Sequence, residues 1–134
     1  VSIPPEILEL LHRLLERAYA PYSDYHVAAV VRSSSGKLYG GTNVENAAYP
    51  LSRCAEQGAV LQMVAAGERE IAEVWVMAKD SRPATPCGGC RQVLSEFAAP
   101  STLVHCLSQA GQGRTLSLEE LLPHAFGPKY LHPK

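Results

Sequence analysis

The chain has 134 residues, 46% of them apolar and 19% charged, enough to pack one domain spanning 1–134 and little more. Its 12 Lys and Arg against 13 Asp and Glu leave a formal charge of −1, without the basic excess of a nucleic-acid binder or a polybasic membrane anchor. No apolar run approaches the ~18 residues of a membrane span, and the opening VSIPPEILEL lacks the cationic-then-apolar order of a signal peptide. A cytoplasmic setting with neither nucleic acid nor membrane as partner is therefore expected.

Residues 4–19 carry the period of an amphipathic helix. Pro4 and Pro5 suit its opening positions, Ile7, Leu11, Leu14, Leu15 and Ala18 form one stripe, and Pro21 stops it. The apolar run 26–32, the turn residues Ser33 to Gly36 and the run 37–42 predict a hairpin. A polar loop occupies 43–50. Ser52 is the candidate cap of a second helix running to about residue 66, with Gly67 as its stop. Residues 71–78 are apolar and β-branched enough for a buried strand, and 80–86 form a loop broken by Pro83 and Pro86. A third helix follows over 88–98, a strand over 103–107, a turn over 111–113, and a short last helix over 116–123 ended by Pro123. The order α-β-β-α-β-α-β-(β)-α predicts a three-layer α/β domain, a mixed central sheet covered by helices on both faces. The tail GPKYLHPK reads as a loosely packed end that oligomer contacts could order. There is no internal repeat, no Gly-x-Gly-x-x-Gly, no phosphate loop ending in Gly-Lys-Ser/Thr and no Gly-x-Ser-x-Gly elbow.

The four cysteines, at 54, 87, 90 and 106, are too sparse for a disulfide scaffold in a chain with this much core. Cys87-Gly88-Gly89-Cys90 has the spacing of a metal knuckle or a redox pair. Cys54 and Cys87 each begin a predicted helix, where unpaired N–H groups and the helix dipole favour the thiolate, the form that binds metal. One helical turn points Cys87 and Cys90 the same way. If the two helix starts converge, Cys54 completes a set of three thiolates, and a zinc ion held by three ligands keeps a fourth tetrahedral position for water. In mid-helix Glu56 would point about 200° away from Cys54. At a helix start both can face the metal, where a carboxylate is placed as a proton shuttle rather than as a ligand.

Cys54-Ala55-Glu56 followed by Pro86-Cys87-Gly88-Gly89-Cys90 resembles the signature of the zinc nucleoside and nucleobase deaminases. The flanking segments narrow the resemblance to the short cytidine deaminases. They are Pro21-Tyr22-Ser23-Asp24-Tyr25, Asn43-Val44-Glu45-Asn46-Ala47-Ala48-Tyr49-Pro50, Cys90-Arg91-Gln92-Val93-Leu94 and Leu121-Leu122-Pro123-His124-Ala125-Phe126-Gly127. In order and spacing the likeness spans about residues 5–130. It implies one Zn²⁺ per chain on Cys54, Cys87 and Cys90, and Glu56 as the glutamate that moves protons. It implies Asn43 and Glu45 on the ribose hydroxyls, the main chain of Ala55 at the pyrimidine carbonyl, and Tyr25 beside the base where the family usually has Phe. Phe126 matches a residue that reaches into a neighbouring subunit, so a homotetramer is the expected assembly. The implied reaction is hydrolysis of cytidine and deoxycytidine to uridine and deoxyuridine with release of ammonia, in pyrimidine salvage. Glu56 carries a proton from water to N3, water oxygen adds at C4, and the amino group leaves, with no organic cofactor.

One position departs from the pattern. Three thiolates on Zn²⁺ sum to −1, which weakens the ion's effect on its water. Short family members with three cysteines usually have Arg directly after the glutamate, whereas this chain has Gln57. Arg53, beside Cys54, is the candidate replacement, with Arg91 as a second. The competing expectations are a closed four-cysteine zinc site that includes Cys106, a Cys-x-x-Cys redox pair, and a non-catalytic zinc-stapled binding module. Among enzymes the alternative substrate is a modified cytosine nucleoside, either a blasticidin-like antibiotic or an N4-substituted cytidine. Polynucleotide editing is disfavoured by the charge balance and the short loops. The histidines, at 12, 26, 105, 124 and 132, show no pair at ligand spacing and are expected in surface or core roles.

Overall fold

In the structure, a computed structural model that describes residues 2–131, Pro4 caps helix α1 (Pro5–Arg17) and Pro5 is its first residue. His132 and the end of the tail lie outside the described residues. A proline loses nothing at that position, because the first helical N–H has no intrahelical partner. Strands β1 (Val27–Ser33) and β2 (Leu38–Thr42) form the hairpin. They are followed by a single 3₁₀ turn (Tyr49–Leu51) and helix α2 (Ala55–Ala65). Strand β3 (Ile71–Ala78), helix α3 (Gly88–Phe97), strands β4 (Ala98–Leu107) and β5 (Gly113–Ser117), and helix α4 (Leu118–Leu121) complete the order, with a second 3₁₀ turn over Pro128–Tyr130.

The five strands lie in the order β2-β1-β3-β4-β5. β3 and β4, joined through α3, are parallel, and the other neighbours are antiparallel, so the sheet is mixed as the element order requires. The two-residue period then sorts side chains by face. Ala28, Val30, Trp75, Met77 and Leu107 bury against Ile7, Leu11 and Leu15 of α1. Val31, Val74, Val76, Val104 and Cys106 bury on the opposite face with Ala59 and Met63 of α2 and Leu94 of α3. At about 1.5–3 kcal/mol for each large apolar side chain removed from water, these two layers dominate the stability. No helix among the described residues is long and apolar enough to cross a membrane.

Several element ends differ from expectation, each because a tertiary partner outcompetes a local signal. The first helix stops at Arg17 rather than running on toward Pro21, since Tyr19 pairs with the chain at Val44 and its N–H donates to Asn43 O. Ser52 does not cap α2: its Oγ accepts from the Asn46 N–H, and the cap position falls to Cys54. The strand expected over 103–107 begins at Ala98, which pairs with Ile71 ahead of an irregularity that absorbs Pro100. The last helix shrinks from 116–123 to a single turn, because Leu116 and Ser117 pair with Val104 and Leu103 in β5. Ser117 and Glu120 then close that turn with a reciprocal capping box.

The fit of α2 on the hairpin rests on Gly41. A Cβ there would stand 2.4 Å from both the Ala55 carbonyl oxygen and the Ala59 nitrogen, so the helix lies against bare β2 backbone. Gly41→Ala is expected to destabilise the protein by about 1–3 kcal/mol through this overpacking. Gly127→Ala, where nothing lies within 4 Å, should stay within about 0.5 kcal/mol of the parent. Urea melts of the two variants check this, and equal midpoints would mean that α2 does not rest on Gly41.

Candidate metal centre

Beyond the end of β3, the first turns of α2 and α3 meet. Cys54 and Cys87 occupy the two N-cap positions with extended backbone, and neither helix has a side-chain cap. The unpaired amides of both first turns are therefore left to favour negative charge. Cys54 is held in place by its neighbour, since Arg53 and Val44 exchange both backbone hydrogen bonds at 2.9 Å. Cys90, buried in the first turn of α3, brings the third sulfur.

The sulfurs of Cys54, Cys87 and Cys90 all lie within 4.8 Å of one another, the one such group of possible metal ligands among the described residues. Cys54 Sγ and Cys87 Sγ are 3.8 Å apart. With Zn–S bonds of about 2.3 Å, a tetrahedral edge is about 3.8 Å, so the spacing and the soft donor set both fit zinc. Cys106 stays outside the group: it is buried in β4, its thiol directed to Val104 O at 3.9 Å. All four cysteines are free.

Glu56, the second residue of α2, is 3% exposed and lines a cavity of about 260 Å³ together with Cys54 and Cys87. The extended backbone of Cys54 is what lets two side chains at this spacing share one wall. Burial pushes the Glu56 carboxyl up to about 7, and the negative charge of Cys54 adds to the shift. Hydrogen bonding from the Cys90 thiol lowers Cys54 to about 6 despite burial, with smaller help from Cys87 and from the Arg53 charge. The same hydrogen bond, together with burial, holds Cys90 high as the neutral partner. A metal ion replaces this proton sharing by deprotonating all of its ligands.

The three residues weighed for charge balance are placed differently. Gln57 Nε2 donates to Cys90 Sγ at 3.9 Å, so the residue after the glutamate does reach a sulfur, with a neutral amide. Arg53 is exposed, and its Nη1 donates to Pro50 O and Ser52 O, leaving it to act on Cys54 through space. Arg91 donates from Nε to Pro86 O at 2.7 Å and from Nη1 to Leu121 O at 2.8 Å, bracing the turn that carries Cys87.

Tyr25, Asn43, Glu45 and Ala55 line the same cavity. Asn43 Oδ1 accepts from Val27 N–H, and its Nδ2 donates to Tyr25 O. Glu45 Oε1 accepts from the N–H groups of Tyr22 and Ser23, and Oε2 accepts from the Ser23 hydroxyl. These bonds lower its pKa, that of the hydroxyl most. Phe126 stands apart: 56% exposed, it stacks on Tyr130 and borders a different cavity. Ser52, Ala84 and Thr85 also line the first cavity, and the sequence carried no signal for them beyond proximity to the motifs.

Residues 4–106 match the family described as the cytidine and deoxycytidylate deaminase zinc-binding region. The chain is 39% identical to a cytidine deaminase of Halalkalibacterium halodurans over 83% of its own length and 84% of that protein's. It is 38% identical to a cytidine deaminase of Sporosarcina psychrophila, over 87% and 85% of the two chains. The crystal structure of cytidine deaminase from Burkholderia pseudomallei superposes with a TM-score of 0.85 at 39% identity, covering 92% of this chain and all of the other. Zinc stoichiometry separates the three-sulfur site from a four-sulfur one. Cys106→Ser is expected to retain one zinc per chain by metal analysis, whereas Cys90→Ser should lose it. Loss from the Cys106 variant in a still-folded protein would mean that the site is closed.

Proposed function

This chain belongs to the cytidine and deoxycytidylate deaminase family, and from that membership we propose that it hydrolytically deaminates cytidine and deoxycytidine to uridine and deoxyuridine, releasing ammonia. One observation carries the proposal: a single cavity has at its wall a cluster of adjacent cysteine sulfurs and a buried carboxylate. One Zn²⁺ per chain would be held by Cys54, Cys87 and Cys90. When bound, it would supply the Lewis acidity that makes a water in the cavity easier to deprotonate.

The remaining work falls to the chain's own groups. Glu56, acceptor-only when ionised and shielded from bulk solvent, takes a proton from water and delivers it to N3 of the pyrimidine. C4 thereby becomes electrophilic and gains the water oxygen. A second proton carried to the amino nitrogen lets it leave as ammonia. The N–H of Ala55, first in α2 and without an intrahelical acceptor, is a donor for the pyrimidine carbonyl, and the Tyr25 ring packs beside the base. Asn43 and Glu45 take the sugar hydroxyls with the capacity left after their loop contacts: one N–H and one lone pair on Asn43, one acceptor site on Glu45 Oε2. Gln57, the two helix starts and, through space, Arg53 offset the excess negative charge of three thiolates, while Arg91 keeps the Cys87 turn in place.

In this proposal the chain is one deaminase domain working in pyrimidine salvage as a homotetramer. The assembly is supported by Phe126, which is exposed and does not line its own chain's Glu56 cavity, and by exposed Tyr22 and Tyr49 in edge contact beside the mouth. Free cysteines suit a reducing cytoplasm. The test is turnover of a panel of cytidine, deoxycytidine, N4-methylcytidine, cytosine and adenosine. Cytidine and deoxycytidine should release ammonia, and Glu56→Ala should keep its zinc yet lose about 10²–10⁴-fold in kcat. Zinc-loaded protein that turns over no member of the panel would overturn the proposal.

A further inference from the structure

Between Pro21 and Val27 the chain crosses the cavity mouth with little packing of its own, and the residues from Pro21 to Tyr25 are all exposed. A hydrogen-bonded knot centred on Ser23 holds this segment. The Ser23 hydroxyl donates to Glu45 Oε2 and accepts from the Tyr25 N–H at 3.0 Å. Its own N–H, with that of Tyr22, donates to Glu45 Oε1 at 3.1 and 2.9 Å. Ser23 and Glu45 also face a cavity of about 320 Å³ that shares Glu45 and Ser52 with the first. One hydroxyl thus touches the carboxylate assigned to the sugar and the backbone of the tyrosine assigned to the base.

We propose that Ser23 is a positioning residue for sugar recognition: its hydroxyl orients Glu45, leaves it a single open acceptor site, and ties that orientation to the place of Tyr25. The proposal rests on the nucleoside-deaminase reading above and deepens it. An ionised carboxylate has about four lone-pair sites. With three donors already bound, Glu45 cannot turn to meet a sugar and retains one direction in which to accept from a hydroxyl. Without the Ser23 hydroxyl, Oε1 keeps its two backbone donors but Oε2 has two free sites and nothing to fix which of them meets a sugar hydroxyl, while Tyr25 stays held through its carbonyl by Asn43 Nδ2. The loss falls on binding of the hydroxylated sugar and not on the proton transfers at Glu56, which stands on α2 and is not held by this knot.

The experiment compares Ser23→Ala and Ser23→Thr with the parent enzyme, all zinc-loaded. KM and kcat are measured for cytidine, with competitive inhibition by uridine and by 2′,3′-dideoxyuridine, whose sugar carries neither ring hydroxyl. Ser23→Ala should raise KM for cytidine and the inhibition constant for uridine about ten-fold, the scale of one hydrogen bond to a charged group. In the same variant kcat should stay within about two-fold, the pattern of lost uniform binding. Inhibition by dideoxyuridine and zinc content should not move, and Ser23→Thr, which keeps the hydroxyl, should restore most of the affinity. Equal weakening toward both inhibitors would show general loosening of the loop and overturn the proposal, as would unchanged affinity for uridine. A parent enzyme that fails to deaminate cytidine removes the nucleoside reading itself and the role of Ser23 with it. An active parent with an unaffected Ser23→Ala overturns the role of Ser23 alone.

Discussion

Two helices reached by separate loops begin at one point, and the chemistry of the chain is organised around keeping them there. Sulfur is a poor partner for an uncapped amide unless it is ionised, and three ionised sulfurs within a few ångströms repel unless a cation joins them. A proton shared among the cysteines relieves that repulsion with one sulfur neutral, and a cation relieves it with all three ionised. The scaffold prepares for this before any ion arrives: Val44 grips Arg53 on one side, Arg91 grips Pro86 on the other, and glycine at 41 lets α2 approach the sheet closely. Uncapped helix ends would be a defect elsewhere in a protein. Here they are the part of the fold with a use.

Much of this was legible in the residues alone. The apolar stripe of α1 carries a helical period that burial reproduces, and the apolar runs of β1 and of Ile71 to Ala78 are buried nearly throughout, because apolar content and helical spacing are properties of the chain itself. The cysteine cluster was legible too, since spacing within one turn fixes direction for Cys87 and Cys90. The misreadings lie where local chemistry had a competitor. Ser52 has the side chain of a cap, yet it serves the Asn46 amide, and only the fold determines which partner is nearer. Leu116 and Ser117 fit a helix start by composition, but the unpaired edge of β4 draws them into the sheet. At the cysteine cluster the sequence offered Arg53, Gln57 and Arg91 together, and only the fold sorts them: Gln57 meets a sulfur, Arg53 acts on Cys54 through its charge, and Arg91 meets carbonyls.

The side of the cavity lined by Asn43 and Glu45 follows a different logic. Neither residue is deeply buried, and each braces the backbone while keeping hydrogen-bonding groups free. Asn43 and Glu45 hold the segment from Tyr22 to Val27 and keep a fraction of their hydrogen-bonding capacity in reserve. Such economy of parts makes the mouth of the cavity sensitive to changes that never touch a ligand.

The guanidinium of Arg91 serves two carbonyls, one just ahead of Cys87 and one in the short helix α4. A shortened descendant lacking everything beyond β5 would leave half of that fork unanswered in a partly buried place. Pruning α4 would thus be felt at the cysteine cluster, which makes that single helical turn a structural keystone rather than a disposable appendix.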